Sequence, residues 1–105
     1  MHIYSKRLHE LLTELGHLHD KKQEDYGTDS NPLNNICASS EWGIEPWVGA
    51  MLRASDKIRR LQAFAIKGKL LNESAEDSLK DIAVYSLIAL ILLEQKTLET
   101  DLGGT

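Results

Sequence analysis

The feature that most constrains this chain is a run of twelve nearly continuous apolar residues, Ile82 to Leu93, in its C-terminal half. Asn72 is a good N-cap in front of it, and the acidic residues that follow Asn72 suit the positive end of a helix dipole. The pattern predicts a helix over about residues 73–99. Such a run is too short to cross a bilayer, which needs about twenty apolar residues. We therefore expect a central helix that is buried on all sides.

A helix buried on all sides needs more partners than one copy of this chain supplies. The chain has 105 residues, which is enough for a single domain, 1–105, and too few for two independent cores. Another copy is therefore expected to cover the remaining face, so we predict a homodimer or a homotetramer.

Two more helices precede the central one. Over about residues 3–26, apolar residues recur at steps of three and four, and Gly27 marks the end. Pro46 suits the first position of a helix over about residues 46–67, and Gly68 suits its end. The expected fold is all-α, with three main helices in an antiparallel bundle, a long loop between the first and the second, and completion by oligomerisation.

The composition excludes several classes of protein. A net charge of −4 and a pI near 5.5 argue against general binding to nucleic acid or to anionic lipid. The single cysteine, Cys37, excludes an internal disulfide framework and fits a reducing compartment. No signal peptide is recognisable at the start. We expect a cytoplasmic protein with neither a nucleic-acid nor a membrane partner.

Carboxylates form a ladder at the start of the third helix. Glu73, Asp77 and Asp81 recur at every fourth residue, followed by Tyr85, so they lie on one helix face. Like charges at this spacing repel one another unless a cation lies between them. For Glu73 a role at the helix N-terminus is an equal alternative. Asp81 directly precedes the apolar run, where an unpaired carboxylate is costly, so we expect it to bind a ligand or a charged partner.

The second helix carries a matching polar stripe: Arg53, Asp56, Lys57 and Arg60 are spaced i, i+3, i+4 and i+7. Antiparallel packing would bring Asp56 and Arg60 level with the turns that hold Asp77 and Asp81. Two alternatives stay open, since the cations could also form a solvated face or salt bridges to the acids of the third helix.

These residue types suit Mg²⁺ and phosphate. Magnesium binds through one or two carboxylates together with substrate phosphates, and arginine or lysine holds the remaining phosphate oxygens. A metal-bound water could attack phosphorus while a carboxylate takes its proton. Trp42 could stack on a nucleobase or anchor the loop by hydrophobic contact. Tyr85 is expected in the core with its hydroxyl near the stripe.

Three blocks of sequence carry a family resemblance. Residues 21–27 (KKQEDYG), 53–61 (RASDKIRRL) and 73–85 (ESAEDSLKDIAVY) together resemble a phage and bacterial family associated with nucleotide modification. That family is similar to the all-α nucleoside triphosphate pyrophosphohydrolases of the MazG and dUTPase type. The resemblance implies Mg²⁺-dependent cleavage of a nucleoside triphosphate between its α- and β-phosphates, giving the monophosphate and pyrophosphate.

The resemblance also implies roles for individual residues. Asp56 matches the acid on the second helix, and Asp77 and Asp81 match those on the third. The family shows Glu-x-x-Glu and Glu-x-x-Asp, whereas here Arg53 and Ser78 replace the first glutamate of each pair. The implied assignments are Asp56 and Asp81 for catalysis; Asp56, Asp77, Asp81 and Glu73 for Mg²⁺; and Lys21, Asp25, Tyr26, Asn34, Trp42, Arg53, Lys57, Arg60 and Tyr85 for the substrate.

A second class of function remains beside the enzyme. Either other acids such as Glu24 complete the metal site, or the site is degraded and favours binding over turnover. In that case the chain is a helical module that binds a nucleotide, a nucleotide signal or a protein partner without chemistry.

Overall fold

The computed structural model of the chain describes residues 2–26, 41–68 and 74–103, with side chains for 2–21, 41–68 and 74–98. These residues form three helices and no strand: α1 (Ile3–Tyr26), α2 (Pro46–Lys67) and α3 (Ala75–Gly103). The prediction of an all-α fold is thus confirmed for the described residues. Two compact units make up the chain, Met1–Asn35 with α1 and Ile36–Thr105 with α2 and α3. The predicted loop between the first two helices lies mostly outside the described residues.

The first unit is built on α1, whose exposed side carries a charged cluster. The Arg7 guanidinium donates to Glu10 at 3.2 Å and to Glu14 at 3.3 Å. The hydrogen bond to Glu14, followed by that to Glu10, raises the pKa of Arg7. Leu15 is the buried apolar residue of the described part of α1.

Local signals set both ends of α2, as predicted. Glu45 is the N-cap in extended conformation, and Pro46 occupies the first turn, where its missing N–H has no intrahelical partner. At the other end Gly68 has a left-handed backbone with φ 77°, and its N–H donates to the Phe64 carbonyl at 2.7 Å. A glycine is suited to this conformation because it has no Cβ to clash with the backbone.

The third helix begins at a serine cap and is longer than predicted. The Ser74 hydroxyl oxygen accepts a hydrogen bond from the Asp77 backbone N–H at 3.1 Å, which satisfies a donor of the first turn. The predicted cap Asn72 and the predicted first residue Glu73 lie outside the described residues. At its C-terminal end α3 continues to Gly103 instead of stopping near 99, because no glycine or proline interrupts the chain before Gly103.

Helices α2 and α3 pack antiparallel. Two ion pairs show the direction, since Glu45 at the start of α2 binds Lys96 while Lys57, further along α2, binds Asp81, which is earlier in α3. The buried residues of this contact are mostly small: Gly49, Ala50 and Ala54 on α2, and Ser78, Ile88, Ala89 and Leu92 on α3. Small side chains let the two helix backbones approach closely.

The apolar run of α3 is buried on one side only. Ile88, Ala89 and Leu92 are at most 8% exposed, whereas Leu87 is 45% and Leu90 is 51% exposed. Within the described residues, α2 covers one face of a helix that is apolar around most of its circumference, as expected if one copy supplies too few partners. Burial of the remaining face by another copy stays a prediction. Among the described residues, no helix combines the length and the apolar character that crossing a membrane requires.

Candidate functional site

An open groove of about 400 Å³ lies along α2 where it faces α3. Its lining consists of the predicted polar stripe together with one residue of α3 and one leucine: Leu52, Arg53, Asp56, Lys57, Arg60 and Tyr85. The spacing of the stripe on a helix accounts for this arrangement, because positions i, i+3, i+4 and i+7 share one face. The groove thus has three cations along one wall.

Lys57 and Asp81 join the two helices at this groove. The distance from Lys57 Nζ to Asp81 Oδ2 is 3.0 Å, and the two side chains are 16% and 19% exposed. The carboxylate before the apolar run thus has a charged partner, and its functional role stays a prediction. Lys57 thereby forms a salt bridge to an acid of the third helix, which is one of the alternatives that the sequence left open.

Asp56 and Arg60 form a second, weaker ion pair within α2. Arg60 Nη2 lies 3.3 Å from Asp56 Oδ2, and the side chains are 44% and 55% exposed. Exposed pairs of this kind contribute between zero and about 1 kcal/mol, so little free energy is needed to redirect the guanidinium. The pair with Asp56 is therefore only a weak restraint on the Arg60 guanidinium.

Tyr85 and Leu52 give the groove an apolar part. Tyr85 is partly buried on α3, and Leu52 is 52% exposed on α2. The sequence predicts Tyr85 in the core, but it is only partly buried and lines the groove beside the stripe. By its hydrophobicity alone, Leu52 is predicted to lie on the apolar side of the helix. Its spacing of four residues from Asp56 and eight from Arg60 nevertheless indicates that it shares their helix face.

Several predicted site residues do not line the groove, among them Asp77, Trp42 and Asp81, the partner of Lys57. Asp77 is exposed in the first turn of α3, where its backbone N–H binds Ser74. Trp42 is 84% exposed in a short 3₁₀ turn before α2. The exposed indole is not packed as a hydrophobic anchor, which leaves its ring accessible for stacking.

The remaining predicted residues belong to other parts of the chain. Lys21 is exposed on α1, in the first unit. Asp25 and Tyr26 are helical by their backbone, and their side chains lie outside the described residues, as do Asn34 and Glu73. The described groove therefore contains predicted site residues of α2 and α3 only.

Few of the described acidic side chains lie near the groove, which limits the number of protein ligands that they offer to a metal ion there. Within the described residues, no three histidine, cysteine, aspartate or glutamate side chains come close enough to hold an ion. Asp56 and Asp81 are the two nearby carboxylates, and each is paired with a cation. Two carboxylates fit Mg²⁺ only when phosphate oxygens supply further ligands. Within the described part of the chain, these two carboxylates therefore lack a third acidic, histidine or cysteine ligand nearby.

A further polar link at the start of α2 was not foreseen from the sequence. The Trp47 indole N–H donates to Glu45 Oε2 at 2.7 Å, and Lys96 of α3 binds Glu45 Oε1. The hydrogen bond from Lys96, and then that from Trp47, lowers the pKa of Glu45. The contact of Glu45 with Lys96 therefore holds the start of α2 against α3, and Trp47 supports it through its hydrogen bond to the same carboxylate.

Comparison of the chain with protein-family models, with curated proteins and with solved structures gave no match. The functional interpretation therefore rests on the groove and on the residues that line it.

Proposed function

We propose that this chain is a Mg²⁺-dependent nucleoside triphosphate pyrophosphohydrolase, which converts a ribo- or deoxyribonucleoside triphosphate to the monophosphate and pyrophosphate. The observation that carries the proposal is the cationic wall of Arg53, Lys57 and Arg60 in a groove that also has carboxylates at its edge. Phosphate recognition and proton transfer need these two kinds of group side by side.

The cations would bind the triphosphate. Arginine presents a planar fork that can hold two phosphate oxygens at once, and the two arginines of the wall lie two turns apart. Lys57 is held between them by Asp81 at 3.0 Å, so its ammonium group is already positioned along the wall. Tyr85 and Leu52 offer an apolar surface for the sugar.

The carboxylates would handle the proton of the attacking water. Asp81 or Asp56 accepts this proton as the water oxygen bonds to the α-phosphorus. The bond between the α-phosphorus and the bridging oxygen then breaks, and pyrophosphate leaves with the electron pair. When bound with the nucleotide, Mg²⁺ supplies neutralisation of the phosphate charge, and Asp56, Asp81, Asp77 and Glu73 are the carboxylates proposed to hold it.

The other predicted residues complete the proposal. Trp42 and Asn34 would contact the base, and Lys21, Asp25 and Tyr26 are the further residues proposed for the substrate. The protein would act as a homo-oligomer in the cytoplasm, which is that of the host if the chain is encoded by a phage.

A second candidate function is nucleotide binding without chemistry. The observation in its favour is that Asp81 and Asp56 are each paired with a cation, and that the described residues bring no third acid to them. A triphosphate or a nucleotide signal would then bind the cationic wall and remain intact.

Turnover separates the two candidates. The purified protein is incubated with Mg²⁺ and a panel of natural and modified nucleoside triphosphates, and the products are separated by chromatography. Formation of monophosphate and pyrophosphate that is lost in Asp81→Asn and retained in Glu10→Gln, which removes one exposed carboxylate of α1, supports the enzyme. Nucleotide that binds tightly and is recovered unchanged contradicts it and supports the binding module.

A further inference from the structure

The side of α3 that faces away from α2 carries an exposed apolar surface, here called the outer face: Leu79, Ala83, Leu87, Leu90 and Leu98. Its leucines are between 45% and 57% exposed. Near the C-terminal end the face borders a shallow cavity of about 390 Å³, lined by Leu90, Leu93, Glu94, Thr97 and Leu98. A continuous apolar surface of this kind on a small protein is typical of an interaction site.

The outer face has opposite charges placed symmetrically about its middle. Lys80 lies seven residues before Leu87, and Glu94 lies seven residues after it. Residues one heptad apart drift by only about 20° around a straight helix, so all three follow nearly one line along the face. Within the described part of the chain, the structure gives neither Lys80 nor Glu94 an ion-pair partner.

We propose that the outer face of α3 binds the outer face of a second copy of this chain, in antiparallel orientation, with the two-fold axis at Leu87. Rotation about this axis sets Lys80 opposite Glu94 of the partner subunit, and sets Glu94 opposite Lys80 of the partner subunit. Leu87 meets its own counterpart, and Leu90 comes within one residue of the level of the small Ala83. The same surface serves both copies, as a two-fold interface requires.

The charges select the antiparallel arrangement over the parallel one. In a parallel pair in register, Lys80 would face Lys80 and Glu94 would face Glu94, and both contacts would repel. Asp81 and Tyr85 belong to the side of α3 that contacts α2 and its groove. Self-association through the outer face therefore leaves the groove open, and this inference does not depend on the proposed hydrolysis.

Charge reversal tests the arrangement. The variants Lys80→Glu, Glu94→Lys and the double variant are compared with the full wild-type chain by sedimentation velocity across a series of concentrations. Each single variant places like charges opposite each other twice, so we expect self-association to weaken by about tenfold or more. The double variant restores opposite charges and should return close to the wild-type affinity.

Recovery of self-association in the double variant can arise only from contacts between two copies of the chain. Fourteen residues separate Lys80 from Glu94, which is about 21 Å along one helix, so the two side chains cannot meet within a chain. Arg59→Glu serves as the matched control, since it makes the same change of charge at an exposed position of α2. Thermal unfolding of each variant verifies that the fold is retained.

Three outcomes overturn the proposal. One is a wild-type protein that is monomeric up to high micromolar concentration, which would mean that other segments of the chain or a different partner cover the outer face. Another is an oligomer that neither Leu87→Asp nor the single charge reversals weaken. The third is a double variant that associates no better than the single ones.

Discussion

Lys57 Nζ and Asp81 Oδ2 lie 3.0 Å apart across the α2–α3 contact, and less than one-fifth of each side chain is exposed. The pair is therefore screened by solvent far less than the Asp56–Arg60 pair of the same groove. It has a structural role, because it fixes the position of α3 along α2, and it places a cation and a carboxylate side by side in the proposed site.

Loss of either partner should destabilise the fold. We expect Lys57→Met to lower the free energy of unfolding by about 1–2 kcal/mol, because Asp81 is then left as a partly buried charge without this cation. Urea denaturation of Lys57→Met, Asp81→Asn and the double variant gives the coupling energy between the two residues.

The exposed pair within α2 supplies the control for this cycle. The variants Asp56→Asn and Arg60→Met should each change the free energy of unfolding by less than about 0.5 kcal/mol. If removal of either pair lowered the free energy of unfolding by the same amount, burial of Lys57 and Asp81 would contribute nothing to their interaction.

Two arginines that are adjacent in sequence should contribute differently to nucleotide binding. Arg60 lines it, whereas its neighbour Arg59 is exposed and does not. We expect Arg60→Ala to weaken binding of a nucleoside triphosphate by about tenfold to a hundredfold, the range for a lost hydrogen bond to a charged group. Isothermal titration calorimetry with Mg²⁺ present measures the affinity, and Arg59→Ala should bind like the wild type. Equal losses in both variants would place the nucleotide elsewhere.

Glu45 should make stability depend on acidity. Its pKa is lowered from an ordinary value of 4.5 because Lys96 and Trp47 donate to its carboxylate. A lowered pKa means that the stabilisation is fully present above that ordinary value and is lost as the pH falls through the lower, folded-state pKa. In Glu45→Gln this contribution is absent.

The measurement is the melting temperature between about pH 6 and pH 3. The difference between wild type and Glu45→Gln should shrink as the medium becomes more acidic, and Lys96→Gln should behave like Glu45→Gln. A difference that stays constant over this range would mean that the link from Glu45 to Lys96 is not formed in solution.

Two glycines should respond in opposite ways to alanine. Gly68 has φ 77°, so Gly68→Ala should lower the free energy of unfolding by about 1 kcal/mol through strain in the left-handed conformation. Gly16 lies inside α1, where an added Cβ would meet nothing within 4 Å, so Gly16→Ala should raise it by about 0.5–1 kcal/mol. Differential scanning calorimetry compares the two, and a gain of stability in Gly68→Ala would exclude the left-handed cap.

Some parts of this structure follow from local sequence. The ends of α2 are predictable because Pro46 and Gly68 act on the backbone of their own residues. The position of Asp81 along α3, next to the polar stripe of α2, can be predicted by counting residues along two antiparallel helices. The roles of Asn34 and Glu73 stay predictions, because both lie outside the described residues.

Other parts depend on how the helices approach each other. Hydrophobicity places the core of α2 at large residues such as Ile66, which is 84% exposed, whereas the buried residues are Gly49, Ala50 and Ala54. The distance between the helix axes decides which side chains fit, and no pattern within one helix contains that distance. The link from Glu45 to Lys96 joins residues 51 apart, and many exposed cations were equally suitable partners by sequence.

The small side chains between α2 and α3 have a thermodynamic consequence. A contact made largely by Ala50, Ala54, Ser78 and Ala89 removes less apolar area from water than a seam of leucines does. The leucines that could supply more stabilisation lie on the outside of α3. Association through the outer face, as proposed above, would link folding to association, so the melting temperature of the chain should rise with its concentration, and dilution alone should favour unfolding.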